Sequence, residues 1–253
     1  MPQKGGSLRL NILTLNIHKG FTSFNRRFML PDLREAIRGT GADLVLLQEV
    51  TGSQLLHGTP PDGWPTASHL AFLADSVWPQ YAYGRNAVYP EGDHGNAVLS
   101  RFPIHRVHNR DISTPGSEKR GVLHCEIALP DDRPPLQVMC IHLGLRAAQR
   151  RAQLAQLCEL IAALPPASPL VVGGDFNDWQ QYATRKLQQC ANLKEVFSQH
   201  AGRPARTFPA WLPLLRLDRL YVRNAAFSRP LSLPRQPWSQ LSDHAPLAVE
   251  IQL

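Results

Sequence analysis

The sequence predicts an α/β (α+β) chain in which two β-sheets pack against each other and helices flank them. Apolar runs of strand length outnumber those with helical spacing, and the helical segments are interleaved with the strands. Only a few connections are long enough to hold a helix, which argues against a barrel. With 253 residues, 43% of them apolar, the chain can bury a sizeable core as one large domain spanning 1–253. No linker, internal repeat or low-complexity tract divides it.

Residues 8–16 alternate apolar and polar side chains (Leu8, Leu10, Ile12) and then thicken to Leu13 and Leu15, as a strand entering a sheet core does. Residues 31–38 read as a helix, with Pro31 in its first turn and Gly39 and Gly41 past its end. Leu44-Val45-Leu46-Leu47 reads as a buried strand that ends by delivering Gln48 and Glu49. A short helix is predicted over 69–78, strands over 95–100 and 122–129, a turn at Pro130-Asp131-Asp132, and a strand over 136–143. Leu154, Leu157, Leu160, Ile161 and Leu164 recur at helical spacing until Pro165-Pro166 stops the helix. A strand over 170–172 is expected to break at Gly173-Gly174. Residues 201–213, rich in Pro, Arg and Trp, read as a long loop, and strands over 217–222 and 246–251 follow.

Lys plus Arg number 27 against 20 Asp plus Glu, a net charge of +7 that favours a polyanionic partner. The basic residues are dispersed in pairs such as Arg26-Arg27, Lys119-Arg120 and Arg150-Arg151, so solubility is an equally plain use for them. Cys125, Cys140, Cys158 and Cys190 lie far apart with no CxxC pair, and three sit in apolar runs, so buried free thiols in a reducing compartment are expected. The first twenty residues lack an uninterrupted apolar h-region, and no apolar stretch approaches the ~18 residues that span a bilayer. A soluble cytoplasmic protein is expected, with a peripheral membrane role left open.

Polar residues able to bind metal or phosphate recur after apolar strands: Asn16, Glu49, His142, Asp175 with Asn177, and Asp218. Strand ends on one sheet edge converge, and Asn, Glu and Asp offer the hard oxygen donors that magnesium prefers. Each has a plainer reading. Gly173-Gly174-Asp175 could be only a turn, Glu49 a solvated carboxylate, His142 a core histidine, Asp218 an ion-pair partner of Arg216 or Arg219, and Asp243 a cap. None of these readings accounts for the rest of the set.

Thr14-Leu15-Asn16, Gln48-Glu49, Gly95-Asn96, Ile141-His142-Leu143, Gly174-Asp175-Phe176-Asn177, Leu217-Asp218 and Ser242-Asp243-His244 stand in the order found in one superfamily. Over residues 8–251 the sequence resembles the endonuclease/exonuclease/phosphatase superfamily. The resemblance implies a deoxyribonuclease I-like four-layer sandwich, with two mostly antiparallel central sheets and a metal-bearing cleft at one edge. It places Asn16, Glu49 and Asp243 around Mg2+, with Mn2+ as a substitute. His244 would pair with Asp218, and activation of the attacking water would be shared between His244 and Asp175. Asn177 would donate to a nonbridging phosphate oxygen, His142 would stabilise the pentacovalent state or assist the leaving group, and Asn96 would support the site. His142 in its Ile-His-Leu motif is similar to the branch holding deoxyribonuclease I, bacterial sphingomyelinases and inositol-phosphate phosphatases.

The expected activity is magnesium-dependent phosphoester hydrolysis, as a phosphodiesterase and a monomer, on nucleic acid or on an anionic phospholipid or small phosphoester. A nuclease would draw on Lys19, Arg26, Arg27, Arg101, Lys119, Arg120 and Arg146. A lipid enzyme would draw on Trp211, Leu212, Leu214, Leu215 and Trp238 as an apolar rim. The alternative is a noncatalytic member of the fold that binds nucleic acid or membrane by charge. Degenerate copies usually lose a ligand or the terminal histidine, and here every motif residue is present.

Overall fold

In the computed structural model, which describes residues 7–22, 26–54, 59–75 and 77–253, side-chain alternation decides the layering. In β1 (Arg9–Asn16), Leu10 and Ile12 enter an apolar cluster between two sheets. Leu13 and Leu15 enter a second cluster beneath α1 (Leu30–Gly39) and α2 (His69–Ala74). A strand apolar on both faces has to be covered on both, and here a sheet covers one face and helices the other.

The first sheet runs in the order β11 (Phe227–Leu231), β12 (Leu247–Gln252), β1, β2 (Leu44–Gln54), β4 (Gly92–Ser100), β3 (Gln80–Tyr89). The second runs β5 (Ile104–Asp111), β6 (Gly121–Ile127), β7 (Leu136–His142), β8 (Leu170–Asp175), β10 (Asp218–Arg223), β9 (Lys194–Glu195). Every neighbour pair is antiparallel except β1 with β2 and β7 with β8. Parallel neighbours need a crossover, and α1 and α3 (Ala147–Ala162) supply the two. On the outer face of the second sheet, Leu154, Leu157 and Ile161 of α3 and Leu187 of α4 (Tyr182–Ala191) pack on Met139, Ile141 and Val172. A short α5 (Val196–Ala201) follows β9. The layers are therefore helix, sheet, sheet, helix, as expected.

Several local expectations are corrected. The strand carrying Gln48-Glu49 does not end there: β2 continues to Gln54 through an irregularity between Leu47 and Val50. Gly173-Gly174 does not break its strand, because β8 runs through both to Asp175. The helix predicted over 69–78 stops at Ala74, and Ser76 lies outside the described residues, as do residues 1–6 of the segment read for a leader. β3, β5, β9, β11, α4 and α5 were not anticipated. Cys158 and Cys190 are not free thiols: they form a disulfide between α3 and α4 with a Cα–Cα distance of 6.0 Å, while Cys125 and Cys140 are buried and free. No helix among the described residues is long and apolar enough to cross a membrane.

Candidate active site

The same alternation that builds the core places the chemistry. Counting by twos, Leu10 and Ile12 lead to Asn16, Val138 and Cys140 to His142, Val171 and Gly173 to Asp175, and Val222 and Leu220 back to Asp218. All four polar side chains are therefore on inward faces, at the edge where the sandwich opens. His142 and Asp218 stand directly opposite Asp175 on the strands either side of it. Asp218 begins its strand rather than ending one, because β10 is antiparallel to β8.

Glu49 reaches the same edge by a different device. Leu47 pairs with Ala97 and Val50 with Gly95, so Gln48 and Glu49 together oppose Asn96, and Glu49 takes φ 55°. This bulge lets two consecutive side chains serve one region. Gln48 turns inward, its Nε2 donating to Thr14 Oγ1 at 3.2 Å and to Cys140 Sγ at 3.2 Å across the sandwich. Asn96 ties the sheets together as well, donating to the carbonyls of Gly121 (2.9 Å) and Cys140 (3.2 Å).

One network joins the expected residues. Asn16 Nδ2 donates to Glu49 Oε1 (3.3 Å) and Asp175 Oδ2 (3.2 Å). His142 Nε2 lies 3.4 Å and His244 Nε2 3.8 Å from Asp175 Oδ2, and the backbone N–H of Asn177 donates to Asp175 Oδ1 at 2.9 Å. His244 Nδ1 and Asp218 Oδ2 are 2.8 Å apart. Asp218 is no partner of Arg216 or Arg219 through its carboxylate: Arg219 Nη1 donates to its backbone carbonyl instead. The Asn177 side chain donates to the Leu143 carbonyl at 3.0 Å, so only its second amide hydrogen is free for a phosphate. Asp243 enters beside Ser242, whose hydroxyl donates to the Asn16 carbonyl at 2.7 Å and so fastens the segment before β12 to the end of β1.

Burial and charge divide this network. Asp175 is pushed up to about 6 by its burial, with Asp218 adding to the rise and His244 opposing it. Burial works against charge on His244, yet Asp218, Asp175 and Asp243 outweigh it and raise the ring to about 10. His142 is pushed down to about 3 by burial, with Arg120 adding to the effect, and is neutral. Burial opposes the charge of Glu49, but a hydrogen bond from Asn16 and the neighbouring His18 hold its carboxyl below the usual range. The buried groups are thus a charged imidazole among carboxylates and a neutral one beside them.

Sequence reasoning missed His18. It lies two residues past Asn16 in a short 3-10 turn, at φ 45°, with Lys19 at φ 57°. Its Nδ1 is 3.4 Å from Asp243 Oδ2 and 3.8 Å from Glu49 Oε2, which shows that those two carboxylates face one point. A lone histidine after a strand carries no periodic signal. Only the unusual backbone marks it, since left-handed dihedrals in successive non-glycine residues cost energy and gather at functional sites.

For a metal, the hard and partly exposed oxygens of Glu49, at the bulge in β2, and Asp243, in the segment before β12, converge from positions far apart in sequence and fit a divalent cation of the magnesium type. Asn16 in this orientation presents its amide nitrogen to Glu49 and Asp175. Its oxygen accepts from the His18 backbone N–H at 3.0 Å, so ligation through that oxygen would require the amide to turn over. Asp175, Asp218 and His244 also have ligand-type atoms within 4.8 Å of one another. The 2.8 Å bond between two of them makes that group a proton-sharing pair rather than a vacancy for a cation.

Of the residues offered for a basic groove, Arg101 pairs with Asp43 at 3.3 Å, and Arg120 is buried against Glu118 at 2.5 Å. Of the residues offered for an apolar rim, Trp238 is buried in the core under α1 and α2, whereas Trp211, Leu212, Leu214 and Leu215 are exposed.

A deoxyribonuclease I-like sandwich with this edge site defines a class, and the comparisons agree. The model of the Endonuclease/Exonuclease/phosphatase family matches residues 13–244, and the chain belongs to that family, whose members are generally phosphoester hydrolases and commonly use divalent metals. Among its relatives is YbhP of Escherichia coli (strain K12), an uncharacterized protein, 56% identical over 253 residues and 100% of both chains. UPF0294 protein VP2298 of Vibrio parahaemolyticus is 31% identical over 121 residues, 47% of this chain and 39% of that one. The endonuclease/exonuclease/phosphatase of Beutenbergia cavernae superposes with a TM-score of 0.74 at 19% identity, over 97% of this chain and 72% of that one. Truncated TDP2 of Caenorhabditis elegans superposes with a TM-score of 0.70 at 16% identity, over 97% and 98%. At those identities the likeness is one of fold.

Proposed function

We propose that the protein is a magnesium-dependent phosphodiesterase, with manganese able to substitute. One observation carries the reading: a buried His244–Asp218 pair and Asp175 meet the more exposed carboxylates Glu49 and Asp243 at a single edge of the sandwich. Glu49 and Asp243, with Asn16 beside them, would hold the cation, which when bound neutralises phosphate charge and steadies the leaving oxygen. Three carboxylates keep His244 protonated, so Asp175 is the acceptor for the proton of the attacking water. His244, fixed by Asp218, then donates from Nε2 to a phosphate oxygen as charge builds there. The free amide hydrogen of Asn177 gives a second donor, and neutral His142 stands on the other flank of Asp175 to stabilise the pentacovalent state.

The full set comes from one chain, which supports action as a monomer. The Cys158–Cys190 disulfide counts against the reducing compartment expected from the sequence, and the buried Cys125 and Cys140 bear on it in neither direction. The test is hydrolysis of bis-p-nitrophenyl phosphate. Turnover with Mg2+ or Mn2+ that vanishes with EDTA and returns with added metal is the expected result. No turnover with either metal, or full turnover in chelator, would overturn the proposal.

A further inference from the structure

Six of the twelve large apolar side chains exposed among the described residues gather beside the site. Leu145, Trp179, Trp211, Leu212, Leu214 and Leu215 are between 41% and 65% exposed, and all stand on loops that adjoin the site strands. Leu145 follows His142 at the end of β7, Trp179 follows Asn177 beyond β8, and the other four precede Asp218 at the start of β10. These strands are consecutive in the second sheet, so the loops line one stretch of its edge.

The third loop is a short hairpin fastened to the site. Leu214 and Leu215 donate their N–H groups to the Phe208 carbonyl, both at 2.8 Å, leaving Trp211 and Leu212 at the tip. At its base the Phe208 ring lies 5.1 Å from the His244 ring, and the Ala210 N–H donates to the Asp243 carbonyl at 2.7 Å. Thr207 Oγ1 accepts from the Asp218 N–H at 3.3 Å. The other two loops meet at Arg150, whose guanidinium lies 4.8 Å from the Trp179 ring centre and donates to the Leu145 carbonyl. Four arginines flank the hairpin. Arg216 lies within electrostatic reach of Arg203 and Arg206, and Arg235 donates to the Trp211 carbonyl at 2.5 Å. Among the described residues none of these four arginines pairs with a carboxylate.

Four of the six rim side chains are leucines, which offer no π-face, so only Trp179 and Trp211 could stack a base and most of the rim's apolar area is of no use to a nucleic-acid strand. A lipid interface rewards both of its features, aliphatic and indole side chains at the acyl boundary and arginines among headgroup phosphates. We propose that this rim docks the site onto an anionic phospholipid surface, so that the phosphodiester of a lipid headgroup is the linkage offered to Asp175 and His244. The docking stands on the rim alone, whereas the choice of substrate rests on the reaction proposed above.

The test is cosedimentation of the full chain with sucrose-loaded vesicles, of mixed phosphatidylglycerol and phosphatidylcholine or of phosphatidylcholine alone, and with a short DNA duplex as competitor. The chain is expected to pellet with the anionic vesicles and much less with the neutral ones. The double variant Trp211→Ser, Leu214→Ser should lose at least about tenfold in vesicle affinity, because two side chains no longer leave water. Circular dichroism and turnover of the soluble diester check that this variant is folded. Failure to bind anionic vesicles, full binding by the double variant, or DNA displacing the vesicles overturns the docking. If vesicles are bound and bis-p-nitrophenyl phosphate is turned over, but headgroups stay uncleaved with Mg2+, the substrate assignment is overturned while the hydrolase reading survives. Vesicle binding without turnover of any diester overturns the hydrolase reading instead.

Discussion

Asp175 is held by partners on every side, with two histidines facing its Oδ2 and two N–H donors fixing its oxygens. Replacing it with Asn keeps the shape and removes the proton acceptor. Asp175→Asn and His244→Ala should each lower kcat on the order of 10²- to 10⁴-fold with little change in KM, read by steady-state kinetics at saturating Mg2+. Glu49→Gln should differ in kind, raising the Mg2+ needed for half-maximal rate, so excess metal restores it and does not restore the other two. Acid should act through Asp175. Its carboxyl is raised to about 6, so it holds a proton below that pH and cannot accept another. The rate should therefore climb as pH rises through about 6, and this limb should be missing from the residual activity of Asp175→Asn. At this scale the sequence was most informative, because Asn16, Glu49, His142, Asp175 and Asp218 each follow or open an apolar run. His18 escaped because it belongs to no run and is aimed by two unusual dihedrals.

Gly174 shows why elements were harder to read than residues. It takes φ 141°, and a Cβ there would lie 1.9 Å from the Ile141 carbonyl oxygen of the neighbouring strand. A glycine pair in the sequence suggests a break, yet the pair permits close approach of β7 and β8 and carries the strand on to Asp175. Gly174→Ala should cost about 2–4 kcal/mol, measured by denaturant unfolding, and should lower kcat by shifting Asp175. Other misses have similar causes. β5 turns nearly every side chain to solvent, so Ile104–Asp111 shows no apolar alternation, and α4 buries only Ala183, Leu187 and Ala191. Pairing of Cys158 with Cys190 depends on how α3 and α4 lie together, which spacing does not reveal. That bond closes a loop over a separation of 32 residues, worth about 3–4 kcal/mol in chain entropy. Cys158→Ser should lower Tm accordingly and leave soluble-diester turnover near normal, since the bond lies on the outer helical face.

For the molecule as a whole, the net charge of +7 and the apolar rim predict a mixed response to salt. Vesicle binding should weaken as ionic strength rises but keep a salt-resistant remainder, because the hairpin contribution is not screened. A steep loss extending to complete release would be the mark of phosphate contacts alone. The layer plan was legible from strand-length runs, whereas the strand order was not, since it depends on pairings between distant segments. One of those pairings completes the proposed site. β12 inserts between β1 and β11, and Leu8 and Leu253 exchange backbone hydrogen bonds at 3.2 and 2.9 Å. Asp243 and His244 reach the site only on the approach to β12. A chain emerging from the ribosome thus carries Glu49, His142 and Asp175 well before it can position the imidazole they work with. On the proposed reading, the nascent polypeptide lacks a complete site until β12 is in place.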